Sequence, residues 1–282
     1  MPTVSVNGCN LYYESHGKGE PLLFVHGETH GIEMFETSIE HFSKRYHCVA
    51  YYRRGHGKSE LPPYGYSLWN NYVDLQELID LLGLQRPVIV AVAMSTPLAA
   101  TYALHHPQRV RALVLASWYE IEGYPLLEKR RKTKGVSMGA IRMKMEEILN
   151  TKGRKGLEDW MEENWETRFP IFSPNPVARQ KALRMFASHA PGHYVKSAEY
   201  YTSLPNLLPQ MHAIKCPILG ICGTDDPSPD DPRLLAHLSN YRQAWIEGAR
   251  RFTMIEKPDA FNAELEKFLG TLPAPDGGIS RQ

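Results

Sequence analysis

The side chains of this chain that could do acid–base chemistry follow directly after an apolar run. Glu28, Thr29 and His30 come soon after Pro21–Val25 and bring a carboxylate, a hydroxyl and an imidazole together. An imidazole titrates near neutral pH, so His30 could act as a general base if burial or Glu28 tunes its pKa. The alternative interpretation is a polar loop at the surface, and the spacing alone leaves both open.

A second position of interest is a sharp turn between a predicted strand and a predicted helix. The run Pro87–Val92 is continuously apolar, as expected of a strand buried on both faces, and a helix is predicted over Met94–His106. Ala93 stands at the turn, with the small residues Ala91 and Ser95 two positions away on either side. A methyl group cannot attack a carbonyl or alkyl centre, so nucleophilic catalysis is excluded at Ala93. Ser95 is interpreted as a small residue that permits close packing of the helix on the strand.

The elements that must position these residues alternate between short apolar strands and amphipathic helices. This alternation predicts a mostly parallel sheet covered by helices. The predicted strands are Val4–Val6, Leu11–Glu14, Pro21–Val25, His47–Tyr52, Pro87–Val92, Arg111–Ala116, Pro217–Cys222 and Gln243–Glu247. The predicted helices of the core are Ile32–Arg45, Leu68–Leu82, Met94–His106, Pro232–Leu238 and Pro258–Leu269.

The strand pattern stops after Ala116 and resumes only near residue 217. We therefore expect an α/β core made of residues 1–117 and 209–272, a helical insert over residues 118–208, and a flexible tail over residues 273–282. The insert carries many aromatic side chains, among them Trp118, and these suit an apolar or aromatic ligand. His189 and His193 have the spacing of a helical metal site, but a Pro-Gly pair between them breaks a helix. A turn is preferred there, and no metal is predicted.

Composition excludes several classes of protein. The 282 residues are 43% hydrophobic, and the net charge of +1 steers the chain toward neither nucleic acid nor an anionic membrane. The cysteines are scattered without metal-type spacing, as in a reducing compartment. No apolar run approaches the ~20 residues that span a bilayer, and the first residues lack a secretory signal. The expectation is a cytoplasmic protein that binds a small molecule; a homodimer is left open.

Five segments, in order along the chain, resemble the α/β-hydrolase fold family, and in particular its lidded branch of epoxide-hydrolase-like and C–C-hydrolase-like enzymes. They are His26-Gly27, Arg54–Ser59, Tyr102–Leu115, Gly223–Asp226 and Glu256–Phe261. The resemblance covers nearly the whole chain except the insert, which corresponds to the variable lid of the family. It implies a mostly parallel, eight-stranded α/β-hydrolase sheet with a helical lid.

The resemblance also assigns the three positions of the catalytic triad. The nucleophile position falls on Ala93, the acid on Asp226, and the histidine on Arg251. Arginine stays protonated at ordinary pH and cannot serve as a general base. Two interpretations of the Asp226–Arg251 pair stay open. One is a salt bridge in place of the Asp–His hydrogen bond, and the other is an arginine that holds an anionic substrate group in the pocket.

The oxyanion donors of the family are backbone amides, so they do not depend on the missing side chains. By resemblance they fall on the N–H groups of Met94 and Glu28. Such a site could still stabilise an enolate, a phenolate or a carboxylate.

The predicted function is an α/β-hydrolase-fold enzyme that acts on a small apolar or aromatic molecule. This molecule would carry an acidic group if Arg251 binds it. The chemistry would be that of a lyase, isomerase, cyclase or cofactor-free oxygenase, without a nucleophile and without a cofactor. Asp226, Arg251 and His30 are the predicted catalytic residues. The predicted oxyanion and substrate-binding residues are Glu28, Met94, Ala93 and Trp118. The alternatives are a ligand-binding pseudoenzyme and an ester or C–C bond hydrolase with an engineered Ser-to-Ala change.

Overall fold

The computed structural model of the chain describes residues 2–133, 138–169, 175–226 and 235–273. Nearly all of the predicted tail lies outside the described residues. The described part is built around one sheet with helices on both faces and a second group of helices at one edge of that sheet.

The sheet has eight strands in the order β1-β2-β4-β3-β5-β6-β7-β8. The strands are β1 (Thr3–Val6), β2 (Cys9–His16), β3 (Pro21–Val25), β4 (His47–Tyr51), β5 (Val88–Val92), β6 (Ala112–Ala116), β7 (Ile218–Gly223) and β8 (Tyr241–Ile246). Among the described strands, the β1–β2 and β2–β4 pairings are antiparallel, and the pairings from β4 to β8 in this order are parallel. The predicted mostly parallel, eight-stranded sheet is confirmed.

The central strands are apolar throughout because both of their faces are covered. In β5, Val88, Val90 and Val92 face the layer that contains the helices α1 (Glu36–Phe42) and α11 (Pro258–Leu269). The alternate residues of β5 face the layer with α2 (Leu68–Leu81) and α3 (Thr96–His105). The two-residue period of a strand sends successive side chains to opposite faces, so this arrangement requires an unbroken hydrophobic run.

Residues 118–208, called the insert below, contain helices and no strand among their described positions. The helices are α4 (Tyr124–Thr133), α5 (Met138–Glu163), α6 (Trp165–Arg168), α7 (Pro176–Ala187), α8 (His193–Lys196) and α9 (Ala198–Thr202). Helix α5 kinks at Gly153, whose φ of 67° is outside the helical region. The short helix α10 (Thr253–Glu256) belongs to the core, where it precedes α11.

The insert packs on the carboxyl ends of the parallel strands. The ring nitrogen Nδ1 of His193 lies 2.8 Å from the carbonyl oxygen of Gly55, which follows β4. The Tyr200 hydroxyl donates to the carbonyl oxygen of Met94, after β5, at 2.8 Å. Lys181 forms an ion pair with Glu36 of α1 at 2.8 Å. These contacts place the insert over the edge where the predicted site residues emerge.

Two predicted helices differ from the structure. The segment predicted as one helix over Ile32–Arg45 is a 3₁₀ turn at Ile32–Phe35 followed by the shorter α1. In the segment Pro232–Leu238, residues 232–234 lie outside the described range, and Leu235–His237 form a turn. That prediction was wrong over its described part because a short apolar run with a preceding proline fits a turn as well as a helix. Among the described helices, none is both long and apolar enough to cross a membrane.

Candidate active site

The predicted site residues follow the carboxyl ends of neighbouring parallel strands, and three residues at this edge of the sheet, one of them the predicted Ala93, have strained backbones. Thr29, Ala93 and Ser117 adopt φ values of 62°, 49° and 52°, in the left-handed region that side chains disfavour. They follow β3, β5 and β6, which are adjacent in the sheet. Strain of about 1–3 kcal/mol per residue persists only where the surroundings enforce it, and it clusters at functional sites. The carboxyl edge of the sheet is therefore the candidate site.

Ala93 is buried at the apex of the turn after β5. Its methyl group lies close to Gly27: a Cβ atom built on Gly27 would stand 3.6 Å from the Cβ of Ala93 and 3.3 Å from Nδ1 of His30. The same atom would stand 3.2 Å from the carbonyl oxygen of Val92. Since these distances leave little room for a side chain at position 27, the turns after β3 and β5 approach each other through a glycine.

The hydroxyl of Ser95 is used by the fold. It donates to the carbonyl oxygen of Val25 at 2.7 Å and accepts from the backbone N–H of Val92 at 2.9 Å. Ser95 is fully buried, so its hydroxyl joins the turn to β3. This agrees with the packing role predicted for Ser95. Its hydroxyl is hydrogen-bonded to the backbone of Val25 and Val92, so it does not replace the nucleophile that is missing at Ala93.

Asp226 and Arg251 form a buried, two-pronged ion pair. Nε of Arg251 donates to Oδ2 of Asp226 at 2.7 Å, and Nη2 donates to Oδ1 at 3.1 Å. Their side chains are 3% and 1% exposed. The hydroxyl of Ser117 also donates to the backbone carbonyl of Arg251 at 2.7 Å. The salt-bridge interpretation of this pair is therefore observed, with the planar edge of the guanidinium directed at the carboxylate.

His30 lies beside the same turn, between two aromatic rings. Its ring centroid is 4.5 Å from that of Phe252, the neighbour of Arg251, and 5.0 Å from that of Phe186 in α7. Its Nδ1 is hydrogen-bonded to the carbonyl oxygen of Glu28. Because a carbonyl only accepts, Nδ1 carries the proton and Nε2 carries the lone pair. Burial lowers the pKa of His30 to about 3, so the ring is neutral at physiological pH.

Glu28 turns its side chain toward the insert. Its carboxylate accepts from Arg142 of α5 at 3.1 Å and from Arg53, after β4, at 3.4 Å. Burial acts to raise the pKa of Glu28, but the two guanidiniums and a hydrogen bond with Ser197 outweigh it, so the pKa is lowered. The carboxylate is therefore an anchor between core and insert, while the backbone of Glu28 remains at the turn after β3.

Met94 and Trp118 lie in the layer on the other face of the sheet. Met94 follows Ala93, and its carbonyl oxygen accepts from Tyr200. The ring of Tyr200 in turn supports Arg53, whose guanidinium carbon lies 3.9 Å from the ring centroid. Trp118 is fully buried in this layer against Tyr241 of β8, at 6.2 Å between centroids. His30, Ala93 and Phe252 thus come together, and Trp118 belongs to a different cluster.

A set of buried histidines went unrecognised in the sequence. His56, His189 and His193 pack together, with 3.9 Å between the centroids of His189 and His193 and 4.4 Å between those of His56 and His193. The i,i+4 spacing of His189 and His193 was the available signal. The intervening Pro-Gly pair prevents a continuous helix, yet a loop that leads into α8 brings the same two rings together.

Comparisons with known proteins match this architecture. A family model described as the alpha/beta hydrolase fold matches residues 20–133. The chain is 22% identical to 3-oxoadipate enol-lactonase 2 of Acinetobacter baylyi, over 94% of each protein. It is 25% identical to a putative 2-succinyl-6-hydroxy-2,4-cyclohexadiene-1-carboxylate synthase of Bacillus subtilis, over 92% of this chain and 93% of that one. A solved esterase of Thermogutta terrifontis with malate bound superposes with a TM-score of 0.77 at 20% identity, over 96% of this chain and 98% of that one.

Replacing Ala93 with glycine tests the strain at the turn. Glycine adopts a φ of 49° without a steric penalty, so we expect Ala93→Gly to leave the free energy of unfolding unchanged or to raise it by up to about 1 kcal/mol. The matched control is Ala99→Gly in the buried face of α3, which should lower it by about 1 kcal/mol or more. The free energies of unfolding of both variants are measured by urea denaturation. An equal loss of this free energy in the two variants would contradict a strained turn at Ala93.

The buried histidines predict acid sensitivity. Burial lowers the pKa of His189 from 6.5 to about 4, so between these values the unfolded chain binds more protons than the folded one. Stability is therefore fully present above pH 6.5 and falls as the pH drops toward 4, by about 3 kcal/mol for this one group.

The measurement is the free energy of unfolding against pH in metal-free buffer. His189→Gln should flatten its slope between pH 6.5 and 4 by about one proton, because the variant lacks the titrating group. His105→Gln, at an exposed position, should keep the wild-type slope. A His189→Gln slope equal to that of wild type would show that the buried ring does not titrate in this window.

Proposed function

This chain belongs to the α/β-hydrolase fold family, and we propose that it acts on a small molecule by proton transfer without a covalent intermediate. The observation that carries the proposal is the buried Asp226–Arg251 ion pair, together with the buried methyl side chain of Ala93 at the turn after β5. The carboxylate of Asp226, at the acid position of a triad, binds the guanidinium of Arg251, which cannot accept a proton. The turn that would carry a nucleophile carries the methyl group of Ala93. Acyl transfer through a serine therefore has neither its nucleophile nor its base.

The group that supports proton transfer is His30. It lies against the turn of Ala93, and Phe252 and Phe186 flank it with apolar surface. A neutral imidazole in a buried site accepts a proton weakly until negative charge develops beside it. The backbone amides after Ala93 and Gly27 would stabilise that charge on an enolate or carboxylate, as oxyanion donors do. The reaction classes that fit are lyase, isomerase and cyclase chemistry, and cofactor-free oxygenation.

The proposed substrate is a small cyclic or aromatic carboxylic acid. The aromatic walls favour a flat apolar body, and the backbone amides proposed as oxyanion donors after Ala93 and Gly27 favour an anionic group. The names of two relatives that match over nearly their whole length, the oxoadipate enol-lactonase and the cyclohexadiene-carboxylate synthase, both include a carboxylate. The second of these names is that of a synthase, which supports chemistry other than hydrolysis on this fold.

Capture of a ligand without turnover is the second candidate function. The observation that favours it is that Nε and Nη2 of Arg251 both donate to the carboxylate of Asp226. These two charged groups of the site therefore bind each other. The ion pair weighs against an engineered loss of a serine, because a single Ser-to-Ala change would not create a guanidinium partner for Asp226.

Ligand screening followed by product analysis tests the proposal. A panel of aromatic and alicyclic carboxylic acids is screened by thermal shift, and each hit is incubated with protein and recovered for mass spectrometry and NMR. We expect a hit to be converted, and His30→Gln to lower turnover by about 100-fold or more while the Kd changes little, because glutamine keeps the hydrogen bond to Glu28 but cannot accept the proton.

His105→Gln is the exposed control and should match wild type. Recovery of every bound acid unchanged would assign the chain to ligand capture. Ala93→Ser should gain no hydrolysis of p-nitrophenyl esters, since Arg251 cannot take the proton of the new hydroxyl. Ester hydrolysis by that variant would contradict the loss of the triad.

A further inference from the structure

A second group of chemically capable side chains lies where the insert meets the core. His56 comes from the turn after β4, His193 begins α8, and Glu28 follows β3; all three are buried. One possible metal-ligand atom from each of them lies within 4.8 Å of the other two. The turn that holds His56 is itself fixed, because Arg54 binds Asp74 of α2 through two hydrogen bonds of 2.6 Å.

The hydrogen bonds of the two histidines decide which nitrogen keeps its lone pair. Nδ1 of His56 lies 3.0 Å from the carbonyl oxygen of Arg54, and Nδ1 of His193 lies 2.8 Å from that of Gly55. Each Nδ1 therefore carries the proton, and each Nε2 is left as an acceptor. This is the arrangement of metal-binding histidines, whose outer N–H is held by a carbonyl or carboxylate.

The two Nε2 atoms have weak partners or none. Nε2 of His56 lies 3.4 Å from the backbone nitrogen of Thr29 and 3.7 Å from Oε2 of Glu28. Nε2 of His193 has no hydrogen-bond partner among the described residues, although it is fully buried. Burial holds the pKa of both imidazoles well below the ordinary value, so both are in the neutral form that binds metals. A buried acceptor without a hydrogen-bond partner destabilises the folded protein unless a bound ion or molecule interacts with it.

We propose that Glu28, His56 and His193 form a binding site for a divalent transition-metal ion of the zinc type. Two imidazole nitrogens and one carboxylate oxygen are a ligand set that Zn²⁺ accepts, with a fourth position left for water or a ligand. Ligand atoms around a tetrahedral zinc ion are about 3.4 Å apart, so the three side chains need to approach one another by up to about 1.4 Å. Because the ligands come from both the core and α8, the ion fastens the insert to the sheet.

Nearby positive charge opposes the ion. Arg142 donates to Oε1 of Glu28 at 3.1 Å, and Arg53 donates to Oε2 at 3.4 Å. Glu146, one turn beyond Arg142 in α5, offsets part of this charge; its carboxylate accepts from the backbone N–H groups of Gly192 and Tyr194. The ion therefore competes with Arg142 for Glu28, and removal of the Arg142 charge should tighten binding.

Titration of the full-length, metal-free protein with Zn²⁺ and with Co²⁺ tests the site. We expect one ion per chain by calorimetry, a higher Tm with Zn²⁺, and the visible absorption of four-coordinate Co²⁺. His193→Gln and His56→Gln should each weaken binding by about 100-fold, and Arg142→Gln should tighten it by about 10-fold, since one repelling charge is gone. The matched control is His189→Gln, a buried ring of the same cluster outside the ligand set, which should stay within about threefold of wild type.

The wild-type measurement stands even if a variant fails to fold, and the Tm of each variant in chelator shows which ones fold. Absence of stoichiometric binding, or absence of the four-coordinate Co²⁺ spectrum in the wild-type protein, would overturn the site. Equal affinity in wild type, His193→Gln and His56→Gln would overturn it as well. The site does not depend on the proposed reaction, because none of these measurements uses a substrate.

Discussion

The ion pair between Asp226 and Arg251 is the interaction on which the rest of the site depends. Removing one member of a buried pair leaves an uncompensated charge, at a cost of about 3–5 kcal/mol. The pair fixes the loops after β7 and β8 relative to each other, and Ser117 joins them to β6. It also directs the polar edge of Arg251 at the carboxylate of Asp226.

The turns at the carboxyl ends of β3 and β5 have a tightly constrained backbone geometry. Ala93 keeps the strained turn, Gly27 keeps the close approach of the neighbouring loop, and Ser95 ties both to β3. Strain is maintained only by surroundings that enforce it, and here those surroundings are the buried central strands of the sheet and the insert packed over its edge. The proposed function uses the backbone amide groups of these turns as oxyanion donors to a ligand. In the proposed function, His30, which lies between Phe252 and Phe186, exchanges a proton with that ligand.

The core was predictable from the sequence because its signals are local. Buried parallel strands appear as unbroken apolar runs, and motifs in a fixed order located Ala93, Asp226 and Arg251. The ion pair between the last two was one of two interpretations, since sequence order does not show where a side chain is directed. The cluster of Glu28, Arg142, His56 and His193 was not predictable, because the fold joins residues as far apart as Gly55 and His193, 138 positions along the chain. The only local hint, the i,i+4 histidines, suggests a helix that the intervening Pro-Gly forbids.

The most direct measurement is a double-mutant cycle on the buried ion pair, with Asp226→Asn, Arg251→Gln and the double variant compared by urea denaturation. If Arg251 and Asp226 form one unit that replaces the acid–histidine pair, the loss in the double variant will fall short of the sum of the single losses by about 2 kcal/mol or more. Losses that add to within about 0.5 kcal/mol would show that the two residues act independently, and would contradict the account.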